Sequence, residues 1–306
     1  MTLRHLDLNL LLALDALLSL RSVSAAAIRL HVSQPTMSGS LARLRKHFGD
    51  KLLVQVGRKM ELSALGEMLV VPMRETLDKI ESTVALRPEF DPATAKRNFQ
   101  ICASEATVLT LLVEVMRKVE AQAPGVTVAL LPAEPAIMGD MLNRRELDFL
   151  FTVERFAFPA HPKSLVIDDS FHCVVWTGNQ RVRNKLTLEH YMAMGHAVTQ
   201  YGFDRRPGFE QFSLDTLGVQ RRVEVSCTTP ALLGPLVVGT QRIATIPSRL
   251  AKLQTETLAL KMFKPPLELP PLKIVMQWHR TREHDGATAW FRELVVKTSA
   301  AIGYIS

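Results

Sequence analysis

The feature that most constrains the fold is an alternation of strand and helix patterns that begins near residue 97. Short β-branched runs predict the strands, and apolar residues at helical spacing predict the helices between them. The predicted strands are 98–102, 126–131, 147–152, 164–168, 171–177, 196–200, 221–226, 242–246, 258–263 and 272–278. The predicted helices are about 105–121, 135–145, 207–217, 229–239 and 284–301. Such alternation builds α/β layers, so this region is predicted to form mixed sheets covered by helices.

Three of the predicted strands end in groups suited to a small molecule, since ligands of such sheets bind beyond the carboxyl ends of strands. The candidate ligand-binding residues are Ser104, Thr107, Phe151, Thr152, Thr228 and Thr229. Phe156 and Phe158 add apolar side chains, and the N–H groups at the starts of the following helices favour anions. A carboxylate or phenolate ligand fits this arrangement. The alternative is that Ser104 and Thr228 only cap helices.

The first sixty residues predict three helices. Leucines at helical spacing predict one over about 7–20, and Ser22 or Ser24 can cap a second that runs to Leu30. Ser33 can cap a third, with a proline in its first turn, where a missing N–H group costs little. Two short helices joined by a three-residue turn are typical of a helix-turn-helix, although helix pairs in enzymes can show the same pattern.

The third helix has two unlike faces. Met37, Leu41, Leu44 and Phe48 recur at helical spacing and predict its buried face. The opposite face is small, hydroxylated and basic, which suits contacts with phosphates and base edges in double-stranded DNA. The candidate DNA-binding residues there are Ser33, Gln34, Pro35, Thr36, Ser38, Arg43, Arg45 and Lys46.

A basic β-hairpin is predicted to follow the third helix. Its strands are expected at 52–56 and 60–62, with Arg58 at the tip as a further candidate for contact with DNA. The alternative is an ordinary hairpin that packs on the helices. Residues 1–60 hold nine Lys and Arg against three Asp, a balance of +6 within a chain total of +7. A basic module on a nearly neutral body indicates that this end meets a polyanion.

A long helix is predicted from Ser63, its cap, to about residue 86. It carries one apolar stripe, formed by Leu65, Leu69, Met73, Leu77, Ile80 and Val84. A single seam on an exposed linker indicates pairing with a second copy, although the stripe could instead pack against its own domain. Pro72 is expected to bend or loosen this helix, and residues 87–96 are predicted to form a hinge.

Two segments carry a resemblance to a known family. The run RSVSAAAIRLHVSQPTMSGSLARLRKHFGDKLLV, with Asp7–Leu10 before it, resembles the LysR-type transcriptional regulators. The segment FDPATAKRNF at 90–99 is similar to the branch that contains the nodulation regulators and the regulators of naphthalene and nitroaromatic degradation. The resemblance is strong over residues 5–100 and weaker beyond.

The resemblance implies an architecture and a set of partners. It implies a winged helix-turn-helix domain over 1–62, a dimerising linker helix and hinge over 63–96, and an inducer-binding domain over 97–306. That last domain would resemble a periplasmic binding protein, with lobe one at 97–165 and 270–306 and lobe two at 166–269. The implied partners are double-stranded DNA, an aromatic inducer between the lobes, further copies in a dimer or tetramer, and RNA polymerase, as expected for an activator.

Other classes of function find less support in the sequence. The motifs GxSxG, GxGxxG, HExxH and the P-loop are absent, which disfavours an enzyme, and no cofactor or metal is expected. A thiol redox sensor stays an alternative, with Cys173 and Cys227 as candidates, although both lie in apolar strands without nearby cations. Three widely spaced cysteines, no export signal and no bilayer-spanning run predict a cytoplasmic protein.

Overall fold

The computed structural model describes residues 7, 9–57, 59–84 and 90–305, and the chain divides into two compact units at residue 86. The N-terminal unit therefore contains the predicted linker helix together with the predicted helix-turn-helix. The hinge predicted at 87–96 begins the C-terminal unit, although residues 87–89 of it lie outside the described residues.

The described residues of the N-terminal unit form four helices and a two-stranded hairpin. Its elements are α1 (Asn9–Leu20), α2 (Val23–Arg29), α3 (Gln34–Phe48), β1 (Leu53–Val56), β2 (Lys59–Leu62) and α4 (Ala64–Val84). The three predicted helices are thus present, and Ser22 rather than Ser24 caps α2 by accepting a hydrogen bond from the N–H of Ala25 at 3.2 Å. β1 and β2 pair antiparallel, with Val56 opposite Lys59.

The bounds of α3 follow from its terminal residues. The Ser33 hydroxyl accepts a hydrogen bond from the N–H of Thr36 at 3.2 Å, which satisfies a donor that the helix cannot pair. Gly49 ends the helix in the left-handed region, with φ of 64°, where a glycine is unstrained. Met37, Leu41 and Leu44 are buried as predicted, and they pack into one apolar cluster with α1.

Helix α4 packs its apolar stripe against α1 of the same chain. Met73 and Leu77 are buried in one cluster with Leu14 and Leu17, so the stripe fills its own domain. Of the two interpretations of the stripe, the structure shows packing against its own domain rather than pairing with a second copy. The opposite face of α4 leaves Met68 exposed, as are Val71 and Pro72.

A close approach explains why glycine follows the cap of α4. The Ser63 hydroxyl accepts a hydrogen bond from the N–H of Gly66 at 3.0 Å. A Cβ on Gly66 would lie 2.5 Å from the carbonyl oxygen of Leu52, so a longer side chain has no room there. Packing of the helix on the hairpin thus excludes the acidic residue that a capping box would place here.

The C-terminal unit alternates strands and helices. Its strands are β3 (Arg97–Ala103), β4 (Val126–Pro132), β5 (Phe149–Val153), β6 (Lys163–Asp169), β7 (Phe171–Trp176), β8 (Gly195–Tyr201), β9 (Arg206–Pro207), β10 (Arg222–Cys227), β11 (Ile243–Pro247), β12 (Leu260–Phe263) and β13 (Leu272–Gln277). Its helices are α5 (Glu105–Thr107), α6 (Val113–Gln122), α7 (Met138–Asn143), α8 (Leu188–Ala193), α9 (Phe209–Thr216), α10 (Leu233–Val237), α11 (Ser248–Thr255) and α12 (Gly286–Ala301).

The strands form two mixed sheets, one for each lobe. The sheet of lobe one has the order β4-β3-β5-β13-β6, and the sheet of lobe two has the order β10-β8-β11-β7-β12, with β9 beside β8. In lobe one, β3 runs parallel to β4 and β5, whereas β13 is antiparallel to β5 and β6. Phe149 and Phe291 stack at 4.7 Å between ring centres in the core of lobe one.

The crossing between the lobes differs from the predicted one. The boundary at 165/166 would cut through β6, which belongs to lobe one as a whole because Asp169 pairs with Leu272 of β13. The chain enters lobe two only at Ser170, between β6 and β7. The chain returns to lobe one between Phe263, where β12 ends in lobe two, and Leu272, where β13 begins.

Candidate DNA-binding face and ligand cavity

The predicted DNA-binding residues of α3 share one exposed surface, here called the α3 face. It covers the sides of the helix that are not buried, and all of its candidate residues are exposed: Ser33, Gln34, Pro35, Thr36, Ser38, Arg43, Arg45 and Lys46. A helix that buries Met37, Leu41 and Leu44 and exposes small polar side chains opposite them is shaped to approach a groove wall.

Two arginines of this face have different surroundings. Arg43 lies 3.8 Å from the Asp7 carboxylate, and 61% of its side chain is exposed, so its guanidinium is available to a polyanion. Arg45 instead donates hydrogen bonds to the carbonyl groups of Lys51 and Leu53, each at 2.8 Å. Arg45 therefore links the segment after α3 to the helix, and it uses two of its five N–H donors to do so.

The hairpin beside α3 ends in a glycine turn. Gly57 has a φ of 62°, and its carbonyl accepts a hydrogen bond from the side chain of Gln55 at 3.2 Å. Gln55 and Lys59 are exposed on the two strands. Arg58, the predicted contact at the tip, lies outside the described residues.

The C-terminal unit encloses a cavity of about 500 Å³ between its lobes. Lobe one contributes the ends of β3 and β5, and lobe two contributes residues of β8, α9 and β11. Four of the six predicted ligand-binding residues line this cavity, namely Ser104, Thr107, Phe151 and Thr152. A cavity of this volume is typical of a site for a small organic molecule.

Thr228 and Thr229 do not line the cavity, contrary to the prediction that they contact the ligand. Thr228 is exposed, and the Thr229 hydroxyl accepts a hydrogen bond from the N–H of Ala231 at 3.2 Å, so it caps the next turn. The turn brings Pro230 and Leu233 to the cavity wall in their place. Ser104 both caps a helix and lines the cavity: its hydroxyl accepts a hydrogen bond from the N–H of Thr107 at 3.3 Å.

Aromatic side chains from both lobes form much of the cavity wall. Phe156 of lobe one contacts Phe209 and Phe212 of α9 edge to face, with ring centres 6.2 and 6.0 Å apart. Phe156 and Phe158 were expected to add apolar side chains, whereas the two rings of α9 were not singled out from the sequence. Their spacing of three residues on one helix face is the signal that could have found them.

Three charged residues line the cavity, and two of them are acidic. Asp169 accepts hydrogen bonds from the N–H groups of Ser170 at 2.8 Å and Arg249 at 3.2 Å, although burial raises the pKa of its carboxyl. Burial also raises the pKa of Glu210, against the opposing charge of Arg221. The cation is Arg206, whose guanidinium is paired with Asp204 at 2.6 Å. The wall thus offers an anion little free positive charge.

The cysteines lie in surroundings that suppress the reactive thiolate. Burial raises the pKa of Cys102 to about 11 and that of Cys173 to about 12. Burial also raises the pKa of Cys227, which is half-buried. Because redox-sensing cysteines need a lowered pKa and exposure, these three positions give the thiol-sensor alternative no support.

Comparison with known proteins identifies the family. Residues 8–67 match the model of the bacterial regulatory helix-turn-helix protein of the lysR family, and residues 93–300 match the LysR substrate binding domain. The chain belongs to the LysR family. It is 38% identical over 300 residues to Nodulation protein D 1 of Bradyrhizobium sp., covering 98% of this chain and 95% of that one. It is 37% identical to Nodulation protein D 1 of Neorhizobium galegae, covering 96% and 95%.

Solved structures show the same LysR fold. A probable transcriptional regulator from Pseudomonas aeruginosa aligns with a TM-score of 0.64 and 28% identity, over 96% of this chain and 97% of that one. Full-length CbnR complexed with its target DNA aligns with a TM-score of 0.53 and 16% identity, over 96% and 100%. At that identity the likeness concerns the fold alone.

Membership of the LysR family confirms the predicted class of function. The chain is a DNA-binding transcriptional regulator with a domain for a small-molecule inducer, and its relatives are regulators rather than enzymes. Within the described part of the chain, no helix has both the length and the apolar character that a bilayer span requires. Those residues also bring together no group of three or more His, Cys, Asp or Glu side chains that could hold a metal ion.

Proposed function

We propose that an aromatic small molecule, bound in the cavity between the lobes, controls this LysR-family regulator. The observation that carries the proposal is an aromatic wall contributed by both lobes around a volume of about 500 Å³. A ligand that touches both lobes can favour one of their arrangements, and it shifts the equilibrium by its difference in affinity for the two. The negative charge predicted for the ligand finds little support, because the cavity wall is mostly apolar and more acidic than basic.

Filling the cavity tests this proposal. Thr152→Phe adds a ring where the wall is buried, whereas Val113→Phe adds the same ring at an exposed position of α6 and serves as the matched control. With 2-naphthol as the probe at a hundred times its Kd, wild type and Val113→Phe should gain about 2.7 kcal/mol of stability. Thr152→Phe should gain almost none in the same thermal-shift assay. Equal shifts in all three proteins would place the ligand elsewhere.

On the DNA side, we propose that the α3 face enters the major groove and that Arg43 and Ser38 contact the DNA. Arg43→Ala should lower affinity for DNA selected in vitro by the wild-type protein by roughly ten- to hundred-fold, the range of one good base contact. The control is Arg117→Ala, which removes the same charge from an exposed position of α6. Normal footprints from Arg43→Ala and Ser38→Ala would remove the α3 face from the interface.

Arg58 and Arg45 are proposed to act differently from Arg43. Arg58 would contact phosphate, so Arg58→Ala should weaken binding to every sequence and reduce the salt slope by about one. Arg45 holds the carbonyl groups of Lys51 and Leu53, so Arg45→Ala should loosen the hairpin and weaken DNA binding through it. Rescue of Arg45→Ala by Arg45→Lys would argue against this, because an ammonium cannot reproduce both bonds in one plane.

We further propose that the regulator is at least a dimer and pairs through the outer face of α4. Met68 and Val71 are 72% and 63% exposed there, whereas the inner stripe is already covered by α1. Met68→Asp should give monomers in sedimentation while the N-terminal unit stays folded. Leu77→Asp, the matched change on the inner face, should unfold that unit instead. An intact oligomer after Met68→Asp combined with Val71→Asp would locate the contact elsewhere.

The remaining expectations are the cellular setting, a tetrameric assembly and contact with RNA polymerase. We propose a cytoplasmic activator, on the support of DNA binding, unpaired cysteines and resemblance to the family. Transcription with purified polymerase from a promoter that carries the selected DNA should rise when 2-naphthol is added. A transcript level that does not respond in wild type, while footprints show occupied DNA, would contradict the role as an activator.

A further inference from the structure

A buried glutamine holds one aromatic residue of the cavity wall by its backbone. Gln277, the last residue of β13, is fully buried, and its side-chain oxygen accepts a hydrogen bond from the N–H of Phe158 at 2.9 Å. Its amide nitrogen donates to the carbonyl of Phe158 at 2.9 Å and to that of His161 at 3.4 Å. Phe158 lines the cavity. Because breaking buried hydrogen bonds is costly, the backbone of Phe158 is fixed on the sheet of lobe one.

The ring of Phe158 lies against a helix position that has no side chain. Gly139 belongs to α7, and a Cβ added there would lie 2.4 Å from Cε1 and 2.5 Å from Cζ of Phe158. Carbon atoms in contact lie about 3.5–4.0 Å apart, so a methyl group at this position would displace the ring. Glycine destabilises a helix relative to alanine, and here its use provides the room that the ring occupies.

A ring displaced from Gly139 would move into the cavity. The backbone of Phe158 is held by Gln277, and the ring packs against a buried apolar cluster that contains Leu142 and Leu150. Closely packed side chains give way very little, whereas the cavity is open volume. The missing side chain at 139 therefore adds depth to the cavity on the side of lobe one.

The volume of the cavity indicates how large its ligand is. A dry apolar cavity of about 150 Å³ holds benzene. The cavity between the lobes measures about 500 Å³, and Phe151, Phe156 and Phe209 are among the residues that line it. It therefore has room for a flat molecule of two or three fused rings.

We infer that Gly139 is a specificity-determining residue, which adapts the cavity to an aromatic ligand of more than one ring by letting the ring of Phe158 lie back against α7. Gln277 acts with it as a positioning residue, because it fixes the backbone from which that ring projects. This inference rests on the proposed function of the cavity as the ligand site.

The test compares three probes on the full-length protein by calorimetry. Phenol, 2-naphthol and 2-hydroxyanthracene carry the same hydroxyl group on one, two and three fused rings. The size ratio is defined here as the affinity for 2-hydroxyanthracene divided by that for phenol. In wild type, affinity should rise with the number of rings. Gly139→Ala should lower the size ratio roughly ten-fold or more, the range for one methylene group in a hydrophobic pocket. Phenol should bind as before, because the smallest probe leaves room for the displaced ring.

Gly286→Ala is the matched control. Gly286 begins α12, and a Cβ there would lie 2.8 Å from Cβ of Phe90, so alanine again presses on a phenylalanine. Phe90 is not among the described residues that line the cavity. The size ratio of this variant should therefore equal that of wild type, and a loss as large as that of Gly139→Ala would overturn the inference.

Two double variants decide whether the effect of Gly139→Ala passes through Phe158. Phe158→Leu removes the ring that the new methyl group would displace, so adding Gly139→Ala to it should hardly change the size ratio. Gln277→Met keeps a similar volume and removes the hydrogen bonds to Phe158. Adding Gly139→Ala to this variant should lower the size ratio less than in wild type, because the backbone of Phe158 can now yield. The cycle with Phe158→Leu does not depend on the folding of the Gln277 variant.

The possible outcomes separate this inference from the proposed function. Probe binding with an unchanged size ratio in Gly139→Ala would overturn the inference and leave the cavity as the ligand site. A full ten-fold loss in the Phe158→Leu background would overturn the role of Phe158. Tightest binding of phenol to wild type would overturn the size of the ligand. If no probe binds wild type, the proposed cavity function fails, and this inference fails with it.

Discussion

Two serines, one in each unit, begin helices in the same way but face different surroundings. The hydroxyl groups of Ser33 and Thr36 lie 2.7 Å apart at the start of α3, and those of Ser104 and Thr107 lie 3.0 Å apart at the start of α5. The backbone angles of the two serines agree within a degree. Ser33 is exposed on the α3 face, whereas Ser104 lines the cavity. The cap is a local property of the sequence, and its function depends on what packs around it.

The largest expected effect comes from placing the same charged residue on the buried side and on the exposed side of α3. Leu44 is fully buried and Ala42 is exposed two residues earlier. Leu44→Asp should lower the stability of the N-terminal unit by at least about 4 kcal/mol, because it removes a core side chain and buries a charge. Ala42→Asp should stay within about 0.5 kcal/mol of wild type and weaken only DNA binding. Calorimetry of the full chain measures both, and unfolding by Ala42→Asp would show that α3 does not face outward.

Acidic pH should lower the stability of the C-terminal unit, but not of the N-terminal unit, through a buried histidine. His196 is fully buried, and its Nε2–H donates to the carbonyl of Tyr191 at 2.8 Å, which leaves Nδ1 without a partner among the described residues. Burial lowers the pKa of His196 to about 4 from an ordinary 6.5. The unfolded chain therefore binds the extra proton first, and stability is lost as the pH falls from 6.5 towards 4.

The expected loss from His196 is about 2 kcal/mol between pH 6.5 and 4.5. His279, whose pKa burial lowers to about 3, should contribute in the same direction. His196→Gln should therefore reduce the slope of stability against pH for the C-terminal unit by about half. His284→Gln, at an exposed position, is the control and should leave the slope unchanged. A slope that does not respond to His196→Gln would mean that this side chain is not buried in its neutral form.

The smallest expected effect tests the two caps directly. Ser33→Ala and Ser104→Ala should each cost about 1 kcal/mol, because each leaves an N–H group of the first turn without its acceptor. Asp in place of either serine should keep the cap. The functional effects should nevertheless differ, since Ser33→Asp repels DNA and Ser104→Asp puts a carboxylate against the cavity. Binding assays with DNA and with 2-naphthol would separate them, and identical losses in both assays would contradict the assigned surroundings.

Local sequence patterns predicted the helices and strands well, because the periodicity of each depends on residues that are close in sequence. The cap at Ser33, the buried face of α3 and all ten predicted strands of the C-terminal unit are present. Two short helices were not predicted. α8 has only six residues, too few for a clear period, and α11 follows Pro247 at a strand end without a capping side chain.

Two features depend on tertiary packing and were left open or predicted wrongly from the sequence: the partner of the α4 stripe and the position of Thr228. The apolar stripe of α4 packs on α1 of the same chain. Helical periodicity shows that the stripe is covered, but it does not show whether the covering helix belongs to the same chain or to a second copy. Thr228 was placed in the cavity from its position after a strand, but a bend turns it outward and brings Pro230 to the wall.

The interleaving of the two lobes along the chain has a consequence for synthesis. Lobe two is one continuous stretch, so all of its strands leave the ribosome before β13 does. Lobe one must wait, because β13 lies between β5 and β6 in its sheet and both of those strands expose open edges until it arrives. A growing chain therefore carries a finished lobe two attached to an incomplete lobe one. Closing that sheet joins residues far apart in sequence, which makes the arrival of β13 the slow and aggregation-exposed step of folding.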